Sequence, residues 1–578
     1  MYRNEEKVLS PLAQEARFSL KQLFGSAINI ALPFFFFALV GLLLQFLCGA
    51  YANDFGSHPD EPAHFMSGVL VHDFLISFKF FHPMEYARNY YLHYPKIAIG
   101  QWPMLLYFFL GGWFLLTDVS RASAMAFQLL VTASIATVIY VVGKRQVSRV
   151  GGILAALLFL LSPVVQINTS RMMSDGAGAL FVLLASLAFA RFFSSGKTVD
   201  ALLFGVLSTV AILTRGSGWA LGLVPLIVII IGRRFDLLKK PSLWATAAIV
   251  LIACVPFYAL TIRATEGTWG GRANSMPYWL LASKEFASTI WRGLGPFVLL
   301  PALLGLWNKI IQPFRKKEID AVWGVLFAYP IATWLLLCAL PTGAESRFMV
   351  ALFPAVLLFA VAGLDQLASY LPAGVLAPDS EKRLVCFVVA ILFLASTFHI
   401  PKNLVFSGFG QIVPCITKTT GKAKNVVLVA SDSEGEGAVV AAIAMAESRP
   451  TSYVLRGTKV FAKENWCGSR IVERCNSVSN VSDLLNRIPV NVVVIDDSVS
   501  TKLSPRYFKL LCKALQAQSA MWRQASAFSV VRGDKKYPAA LRVFVKQVDL
   551  SEVAQNRAVN LELIKSLDSS SSAGAYLR

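Results

Sequence analysis

Long apolar segments recur along the first 400 residues of this chain, and they constrain its fold more than any other feature. About eleven of them are long enough, or nearly so, to cross the hydrocarbon core of a membrane as helices. The segments are 27–50, 121–142, 150–168, 176–193, 199–213, 217–232, 243–262, 291–311, 320–340, 348–368 and 383–400. Since 56% of all residues are hydrophobic, the chain is predicted to be a polytopic membrane protein.

Basic residues between these segments predict the topology. Residues 1–26 are polar and basic, and 27–50 is not followed by a cleavage site, so we expect a cytoplasmic N-terminal segment and a retained anchor. The later basic loops are all cytoplasmic if 97–117 does not cross, and its glycines and Pro103 favour a juxtamembrane or re-entrant helix. These loops also account for the net charge of +20, so nucleic-acid binding is not predicted.

The predicted fold is therefore an all-α polytopic membrane domain followed by a small extracytoplasmic α/β domain. The membrane domain extends over 27–400, with about eleven transmembrane helices. Its first outer loop, 51–120, is expected to carry juxtamembrane helices. The localisation that fits best is a bacterial inner membrane, with the N-terminus cytoplasmic and the C-terminal domain periplasmic.

The C-terminal part alternates short β-branched runs with helical patterns. This pattern predicts an α/β domain over 401–567 and a disordered tail over 568–578. The expected strands are 425–430, 451–455, 491–495, 527–531 and 541–545, and the expected helices include 437–447 and 505–517. Gly435-Glu436-Gly437 follows the first strand without a third glycine, which is a weak nucleotide-binding signal. Cys467 and Cys475 are either a disulfide or free thiols.

Ionisable residues are scarce in the membrane domain but dense in its first outer loop. Five of the six histidines lie there, around Asp60-Glu61. A helix over 62–78 brings several polar positions onto one arc, namely Glu61, His64, Gly68 and His72. We expect this helix to lie at the membrane surface, with its polar stripe facing a cavity. A carboxylate at its N-terminus can accept a proton from a hydroxyl or an amine.

Two other interpretations of this loop remain open. In the first, the acidic pair caps a helix and the histidines are interfacial, so that no residue is catalytic. In the second, His58, Asp60 and His64 hold a metal ion. No cofactor is predicted, and a divalent metal remains an alternative.

The predicted topology places the other isolated charges of the membrane domain on the same outer face. These charges are Lys96, Arg171, Asp175, Arg215, Arg263, Glu345 and Arg347. Charged groups at membrane depth are costly and usually functional, so their convergence predicts a single site. Several cations beside a carboxylate suit a substrate with an anionic head and an apolar tail, such as a lipid phosphate. Simpler alternatives are a helix-capping role for Asp175 and a loop-closing pair formed by Glu345 and Arg347.

The order of these motifs resembles the GT-C superfamily of membrane glycosyltransferases. Within it, the pattern is most similar to the dolichyl-phosphate-mannose protein O-mannosyltransferases and the lipid A aminoarabinose transferases. The matching motifs are Asp60-Glu61 with His64-Phe65, Tyr94-Pro95-Lys96, Arg121, Ser162-Pro163, Arg171, Ser174-Asp175, Leu213-Thr214-Arg215-Gly216 and Glu345-Ser346-Arg347-Phe348. They cover roughly residues 27–370 in the family's order.

The resemblance implies inverting transfer of a sugar from a polyprenyl-phosphate-linked donor in an outward-facing cavity. Asp60 would then be the general base, with Glu61 assisting it or binding the acceptor. Arg347, Arg215 and Lys96 would hold the donor phosphate. The further residues assigned to the substrate site are His64, Arg171, Asp175 and Glu345. The acceptor is a protein, lipid A or a polysaccharide.

Two rival functions remain at this point. A transporter would need paired broken helices near mid-bilayer, whereas the charges here lie at the outer edge. A scaffold or sensor would act through its outer α/β domain alone. Solute uptake by reconstituted vesicles would favour the transporter, and function that survives deletion of residues 1–400 would support the scaffold. Membrane lipids are expected partners.

Overall fold

The computed structural model describes residues 11–97, 99–267, 273–370, 380–401, 404–420, 425–464, 471–499 and 505–547. Its first part is helical. The helices are α1 Pro11–Leu47, α2 Glu61–Ser77, α3 Pro83–His93, α4 Leu105–Leu116, α5 Arg121–Gln146, α6 Arg149–Leu161, α7 Pro163–Thr169, α8 Asp175–Ser195, α9 Thr198–Thr214, α10 Val224–Gly232, α11 Pro241–Gly267, α12 Met276–Leu294, α13 Pro296–Leu306, α14 Gln312–Lys316, α15 Ala321–Ala339, α16 Phe353–Ala368 and α17 Ser380–Ser396. Short 3₁₀ turns at Gly216–Gly222, Phe235–Lys239 and Ser346–Ala351 and a π turn at Trp307–Ile311 join some of them.

In the described part of the chain, six helical stretches are long and apolar enough to cross a membrane. They are Asn29–Leu47, Arg121–Gln146, Asp175–Ser195, Pro241–Ile262, Pro296–Lys316 and Ala321–Ala339. A seventh span arises if α6 and α7 are counted together, although they meet at a 64° bend. Pro163 explains the bend, because it has no N–H to continue the helix from α6. The prediction of a multi-pass membrane protein is confirmed, and the number of about eleven spans stays a prediction.

The first outer loop contains α2, α3 and α4, and α2 is not the surface helix that the sequence predicts. Glu61–Val71 are buried on every side, so the expected polar stripe faces no open cavity. The stripe packs on α4 instead: His64 bonds Tyr107, and Gly68 lies against Leu110. The amphipathic interpretation was wrong because α4 covers the polar stripe, while the C-terminal domain packs on the start of α2, where Gly437 of α19 lies against Pro62.

The C-terminal domain contains a mixed six-stranded sheet. Its strands are β1 Phe406–Ser407, β2 Val426–Ala430, β3 Tyr453–Arg456, β6 Val492–Asp496, β7 Trp522–Arg532 and β8 Lys535–Lys546, and β4 Ala462–Glu464 and β5 Ile471–Glu473 form a separate pair. The order is β1-β7-β8-β6-β2-β3, with β2 parallel to both β3 and β6. Its helices are α18 Ile412–Thr420, α19 Ser433–Ala446, α20 Gly457–Val460, α21 Val478–Arg487 and α22 Arg506–Ala517. The predicted small α/β domain is confirmed, whereas Cys467 and the predicted tail lie outside the described residues.

This domain is joined to the membrane domain by a common hydrophobic core. One face of the sheet, represented by Val427 and Val494, belongs to the same buried cluster as Phe65 of α2 and Leu110 of α4. The opposite face packs on α21 and α22 in a cluster of its own. Every residue of β2 and β6 is buried, as expected for parallel strands covered on both faces.

Backbone pairing fixes the domain to the start of the first outer loop. The Asp54 amide donates to the carbonyl oxygen of Phe406 at 2.6 Å, and the Asn53 side chain both donates to Leu404 and accepts from Phe406. The Asp54 carboxylate accepts from the Phe409 amide at 2.8 Å. The loop that precedes Asp60 is therefore held at its base by the C-terminal domain.

Candidate active site

Asp60 lies immediately before α2, where the first outer loop turns into the helix. Its backbone amide donates to Nδ1 of His58 at 3.1 Å, which closes the turn. Its Oδ2 accepts a hydrogen bond from Nη2 of Arg347 at 2.7 Å, although 287 residues separate the two in sequence. Both side chains are 12% exposed, so this is a nearly buried ion pair. The structure therefore brings the acidic loop and Arg347 together, as the sequence predicts.

Arg347 contacts more than one carboxylate. Its Nε lies 2.8 Å from Oε2 of Glu345 and 4.0 Å from Oδ2 of Asp175. The same Glu345 oxygen is 3.2 Å from Nε2 of His58, and Glu345 is 40% exposed. His58, Asp60, Glu345 and Arg347 thus form one network, which reaches solvent through Glu345.

Electrostatics keep the Asp60–Arg347 pair charged. Burial by itself raises the pKa of Asp60, but the positive charge of Arg347 and the neighbouring His58 lower it overall to about 2. Burial lowers the pKa of Arg347, but the carboxylates of Asp175, Asp60 and Glu345 outweigh it and raise the pKa. Asp60 is therefore ionised at neutral pH, and while paired it is a weak base.

Arg215 extends the network toward α8. Its Nη2 lies 2.8 Å from Oδ1 of Asp175, and its Nη1 donates to Oγ of Ser174 at 2.5 Å. The guanidinium groups of Arg215 and Arg347 both lie against the ring of Phe348, at 5.1 and 5.4 Å from its centroid. Among the described residues, no group donates a hydrogen bond of good geometry to either oxygen of Asp175. A ligand with a hydroxyl group can supply that donor.

Glu61 holds the loop together from inside. It is fully buried and lies 2.9 Å from Nη1 of Arg121, and it also accepts from the Met172 amide. Its other oxygen accepts from the amide and the hydroxyl of Ser57, at 3.1 and 2.9 Å. Oγ of Ser57 accepts in turn from Nε of Arg171. The predicted role of Glu61 in acceptor binding stays a prediction, and its contacts are those of a positioning residue.

Three of Arg121's partners explain why the loop needs an arginine there. Besides Glu61, it donates to the carbonyl oxygens of Ala50 at 2.6 Å and Ser170 at 3.2 Å. A planar fork with five N–H groups can bond partners on several segments at once, which a lysine cannot. The segments before α2 and after α7 are therefore joined through one buried side chain.

His64 lies deeper than Asp60 on the first turn of α2. Its Nδ1 is 2.9 Å from the Tyr107 hydroxyl, and its ring packs against Trp102 at 4.5 Å between centroids. Burial lowers the pKa of His64 to about 3, so the ring is neutral. In the described structure its Nε2 is buried without a hydrogen-bond partner.

Lys96 is turned toward the C-terminal domain. Its Nζ donates to the carbonyl oxygen of Ser433 at 3.0 Å and to its hydroxyl at 2.8 Å. Burial, with help from the charge of Arg456, lowers the pKa of Lys96 to about 7. The predicted role of Lys96 in phosphate binding stays a prediction, and in this structure the residue joins the two domains.

The predicted site residues therefore fall into one central network and three adjoining places. Asp60, Asp175, Arg215, Glu345 and Arg347 form the network. Glu61 and Arg171 meet at Ser57, His64 lies at Tyr107, and Lys96 lies at Ser433.

Sequence reasoning assigned no role to Ser57, Tyr107 or Ser433. Serine and tyrosine at such positions carry no signal of their own, since their partners come from distant segments. For His58 the sequence predicts only a metal ligand or an interfacial histidine. Within the described ranges, no three His, Cys, Asp or Glu side chains are grouped so that they could hold a metal ion.

Fold and site together define a multi-pass membrane protein with a charged centre close to the junction of its helical bundle and an α/β domain. The sequence model of the dolichyl-phosphate-mannose-protein mannosyltransferase family matches residues 101–259. No curated protein matches the chain in sequence.

Several solved structures share the fold. ArnT from Cupriavidus metallidurans in the apo state superimposes with a TM-score of 0.55 at 14% identity, covering 88% of this chain and 97% of ArnT. ArnT bound to undecaprenyl phosphate superimposes with a TM-score of 0.53 at 13% identity, and the match covers 89% of this chain and 98% of ArnT. The oligosaccharyltransferase of Archaeoglobus fulgidus in the apo form superimposes with a TM-score of 0.51 at 11% identity, and the match covers 93% of this chain and 78% of the oligosaccharyltransferase. The chain thus shares its fold with ArnT and with this oligosaccharyltransferase, as expected from its resemblance to the GT-C membrane glycosyltransferases.

Proposed function

We propose that this protein is a membrane glycosyltransferase that moves a sugar from a polyprenyl-phosphate-linked donor to an acceptor at the extracytoplasmic face. The observation that carries the proposal is the 2.7 Å contact between Asp60 and Arg347 at a partly exposed network of charges. A base and a phosphate-binding cation side by side are what such a transfer needs. The family match and the ArnT structure with undecaprenyl phosphate support the choice of donor.

Arg347 and Arg215 are the groups that we propose for donor binding. Both guanidiniums are largely buried and lie on either side of Asp175, so they can fork onto the oxygens of one phosphate. A phosphate on Arg347 replaces the carboxylate of Asp60 as its partner. Asp60 then loses the contact that lowers its pKa, and it becomes a stronger base at the moment when the donor is present.

The transfer step follows from this arrangement. Asp60 takes the proton of an acceptor hydroxyl or amine, whose oxygen or nitrogen forms a bond to the anomeric carbon. The bond from that carbon to the phosphate oxygen breaks, and the electron pair leaves with the polyprenyl phosphate. Arg347 and Arg215 stabilise the negative charge that develops there. Attack opposite to the leaving group inverts the anomeric centre.

The location of the reaction follows the predicted topology. We place the site at the periplasmic side of a bacterial inner membrane, with the N-terminus in the cytoplasm. Protein, lipid A and polysaccharide acceptors all carry the hydroxyl or amine that the step requires. The proposal leaves the choice among these three acceptors open.

Binding of undecaprenyl phosphate to the purified protein tests the donor half of the proposal. We expect saturable binding to the wild type and at least about a tenfold loss in Arg347→Gln, because a charge-assisted bond contributes about 1.5–3 kcal/mol. The matched control is Arg292→Gln, since Arg292 is 64% exposed and lies 3.9 Å from Glu285 on α12. Equal binding by both variants and the wild type would contradict the proposal, as would no binding by any of them.

A further inference from the structure

The connection between α2 and α3 exposes a dense group of large apolar side chains. We call residues 76–84 the aromatic tip. Its exposed members are Ile76 (48%), Phe78 (77%), Phe80 (48%), Phe81 (92%) and Met84 (46%). Exposed apolar groups this close together usually mark a binding surface.

The shape of the aromatic tip is set by the backbone and by ring contacts. Phe78 ends α2 in the left-handed region at φ 54°, a conformation that bulky residues rarely adopt. Its ring lies 5.8 Å from that of Phe80, which is 5.5 Å from Phe74. Phe74 contacts Tyr86 of α3 at 5.4 Å. The rings are therefore held by one another while their outer faces stay uncovered.

Basic side chains flank the aromatic tip, and one exposed carboxylate, Glu85, lies among them. Lys79, His82 and Arg88 are all exposed, and within the described residues none of them forms an ion pair with a carboxylate. Aromatic rings flanked by basic side chains are typical of segments that sit at the boundary between lipid headgroups and acyl chains. The positive charges of Lys79 and Arg88 suit anionic headgroups.

The aromatic tip is also at the right place for a membrane contact. Helix α2 runs parallel to α4, because His64 pairs with Tyr107 near the start of both and His72 with Phe114 near their ends. The two helices therefore end on the same side. There α4 exposes Leu116 (82%), only a short turn before the span Arg121–Gln146 begins. Helix α4 also packs on the span Asp175–Ser195, since the ring of Phe109 lies 5.9 Å from that of Phe181, so the helix pair that carries the tip lies against the helical bundle.

We propose that the aromatic tip inserts into the outer leaflet of the membrane and contacts anionic phospholipid. The tip and Asp60 lie at opposite ends of α2, which is about 26 Å long for 17 residues. Insertion of the tip anchors one end of this helix in lipid, while the C-terminal domain holds the other end. The depth of Asp60 relative to the headgroups is then fixed from both ends. This inference does not depend on the proposed reaction.

Photocrosslinking in the full-length protein tests the inference. The protein carries p-benzoylphenylalanine in place of Phe81 and is reconstituted in vesicles of phosphatidylethanolamine and phosphatidylglycerol. Since Phe81 is 92% exposed and the replacement is aromatic, the fold is unchanged. The same replacement at Leu39, 65% exposed on the first span, is the positive control, and Val472, 64% exposed on the C-terminal domain, is the negative control.

After irradiation, mass spectrometry identifies what is attached at each position. We expect lipid adducts at position 81 at a yield like that at 39 and at least about tenfold above that at 472, with phosphatidylglycerol over-represented. Lipid adducts at 39 without any at 81 would overturn the proposal. Adducts of position 81 to another protein, or to a second copy of this chain, would overturn it as well.

Discussion

The strongest prediction concerns Asp60→Asn, which removes the proposed base and keeps its shape. An asparagine oxygen can still accept from Arg347 at the 2.7 Å position, and Arg347 keeps Glu345 at 2.8 Å. Breaking a buried ion pair costs about 3–5 kcal/mol when the remaining charge is left unpaired. In Asp60→Asn the carboxylates of Glu345 and of the more distant Asp175 still balance the charge of Arg347. We therefore expect the free energy of unfolding to fall by about 1–3 kcal/mol.

The effect on transfer is expected to be larger than the effect on stability. General base catalysis contributes about 10²–10⁴-fold, which corresponds to about 3–5 kcal/mol in the activation free energy. The measurement is transfer of radioactive sugar from the polyprenyl-phosphate donor in proteoliposomes, with thermal unfolding of the same samples. Asp60→Asn should bind undecaprenyl phosphate at least as tightly as the wild type, because the phosphate no longer competes with a carboxylate for Arg347.

Asp73→Asn is the matched control for this variant. Asp73 lies on α2, the helix that begins directly after Asp60. Its side chain is 16% exposed, against 12% for Asp60. Its carboxylate lies beside His72 and accepts from the Tyr90 hydroxyl at 2.9 Å, away from the arginines. It should lose stability on the same scale and retain transfer. Wild-type transfer by Asp60→Asn, or equal losses in the two variants, would refute the assignment of Asp60 as the base.

Two further predictions concern the contact between the domains. Gly437→Ala should lower the unfolding temperature, with a cost of about 1–3 kcal/mol, because its Cβ would lie 2.4 Å from Cγ of Pro62; Gly112→Ala, whose Cβ meets nothing within 4 Å, should not. The pKa of Lys96 is about 7 in the folded protein and near 10.5 in the unfolded chain, so the unfolded chain binds more protons between these values. Stability should therefore rise with pH from 7 to 10 by up to about 1 kcal/mol per pH unit more than in Lys96→Met, measured by thermal unfolding; parallel pH profiles would contradict this.

Local patterns in the sequence predict much of the fold. The expected helix over 62–78 is Glu61–Ser77 in the structure, and the one over 505–517 is Arg506–Ala517. The expected strand 491–495 is Val492–Asp496. These elements are predictable because a helix or a strand repeats its apolar positions at short, fixed spacing. The approximate convergence of the outer charges is predictable for a similar reason, since the positive-inside rule assigns each loop to a side.

Contacts between distant segments are not predictable in this way. The partner of Lys96 is Ser433, which is 337 residues away, and the partner of Glu61 is Arg121 on the first helix after the loop. Helix α2 is buried because it packs on α4 and on the C-terminal domain. The spacing of apolar residues within α2 does not predict either contact. The sequence does mark Gly437, because Gly435-Glu436-Gly437 follows a predicted strand and is a weak nucleotide-binding signal. The reason for Gly437 is close approach to Pro62 and Lys96, and no phosphate is needed to explain it.

The charge balance of the central network explains why a set of cations larger than the two arginines surrounds it. Asp60, Asp175 and Glu345 bring three negative charges, and Arg215 and Arg347 bring two positive ones. The phosphodiester of the proposed donor adds a negative charge, and the departing phosphate adds more. Without compensation, the leaving group would be repelled at the moment when the bond breaks.

Arg171, and Lys96 in its protonated form, can supply that compensation. The charge of Arg171 interacts with that of Arg347, and the charge of Lys96 interacts with that of Asp60, so both are within electrostatic reach of the network. Arg171 is attached to the loop through Ser57, and Lys96 is attached to the C-terminal domain through Ser433. The C-terminal domain therefore sets where the ammonium group of Lys96 lies, and in the proposed reaction this would give the domain a role in donor chemistry as well as in holding the loop.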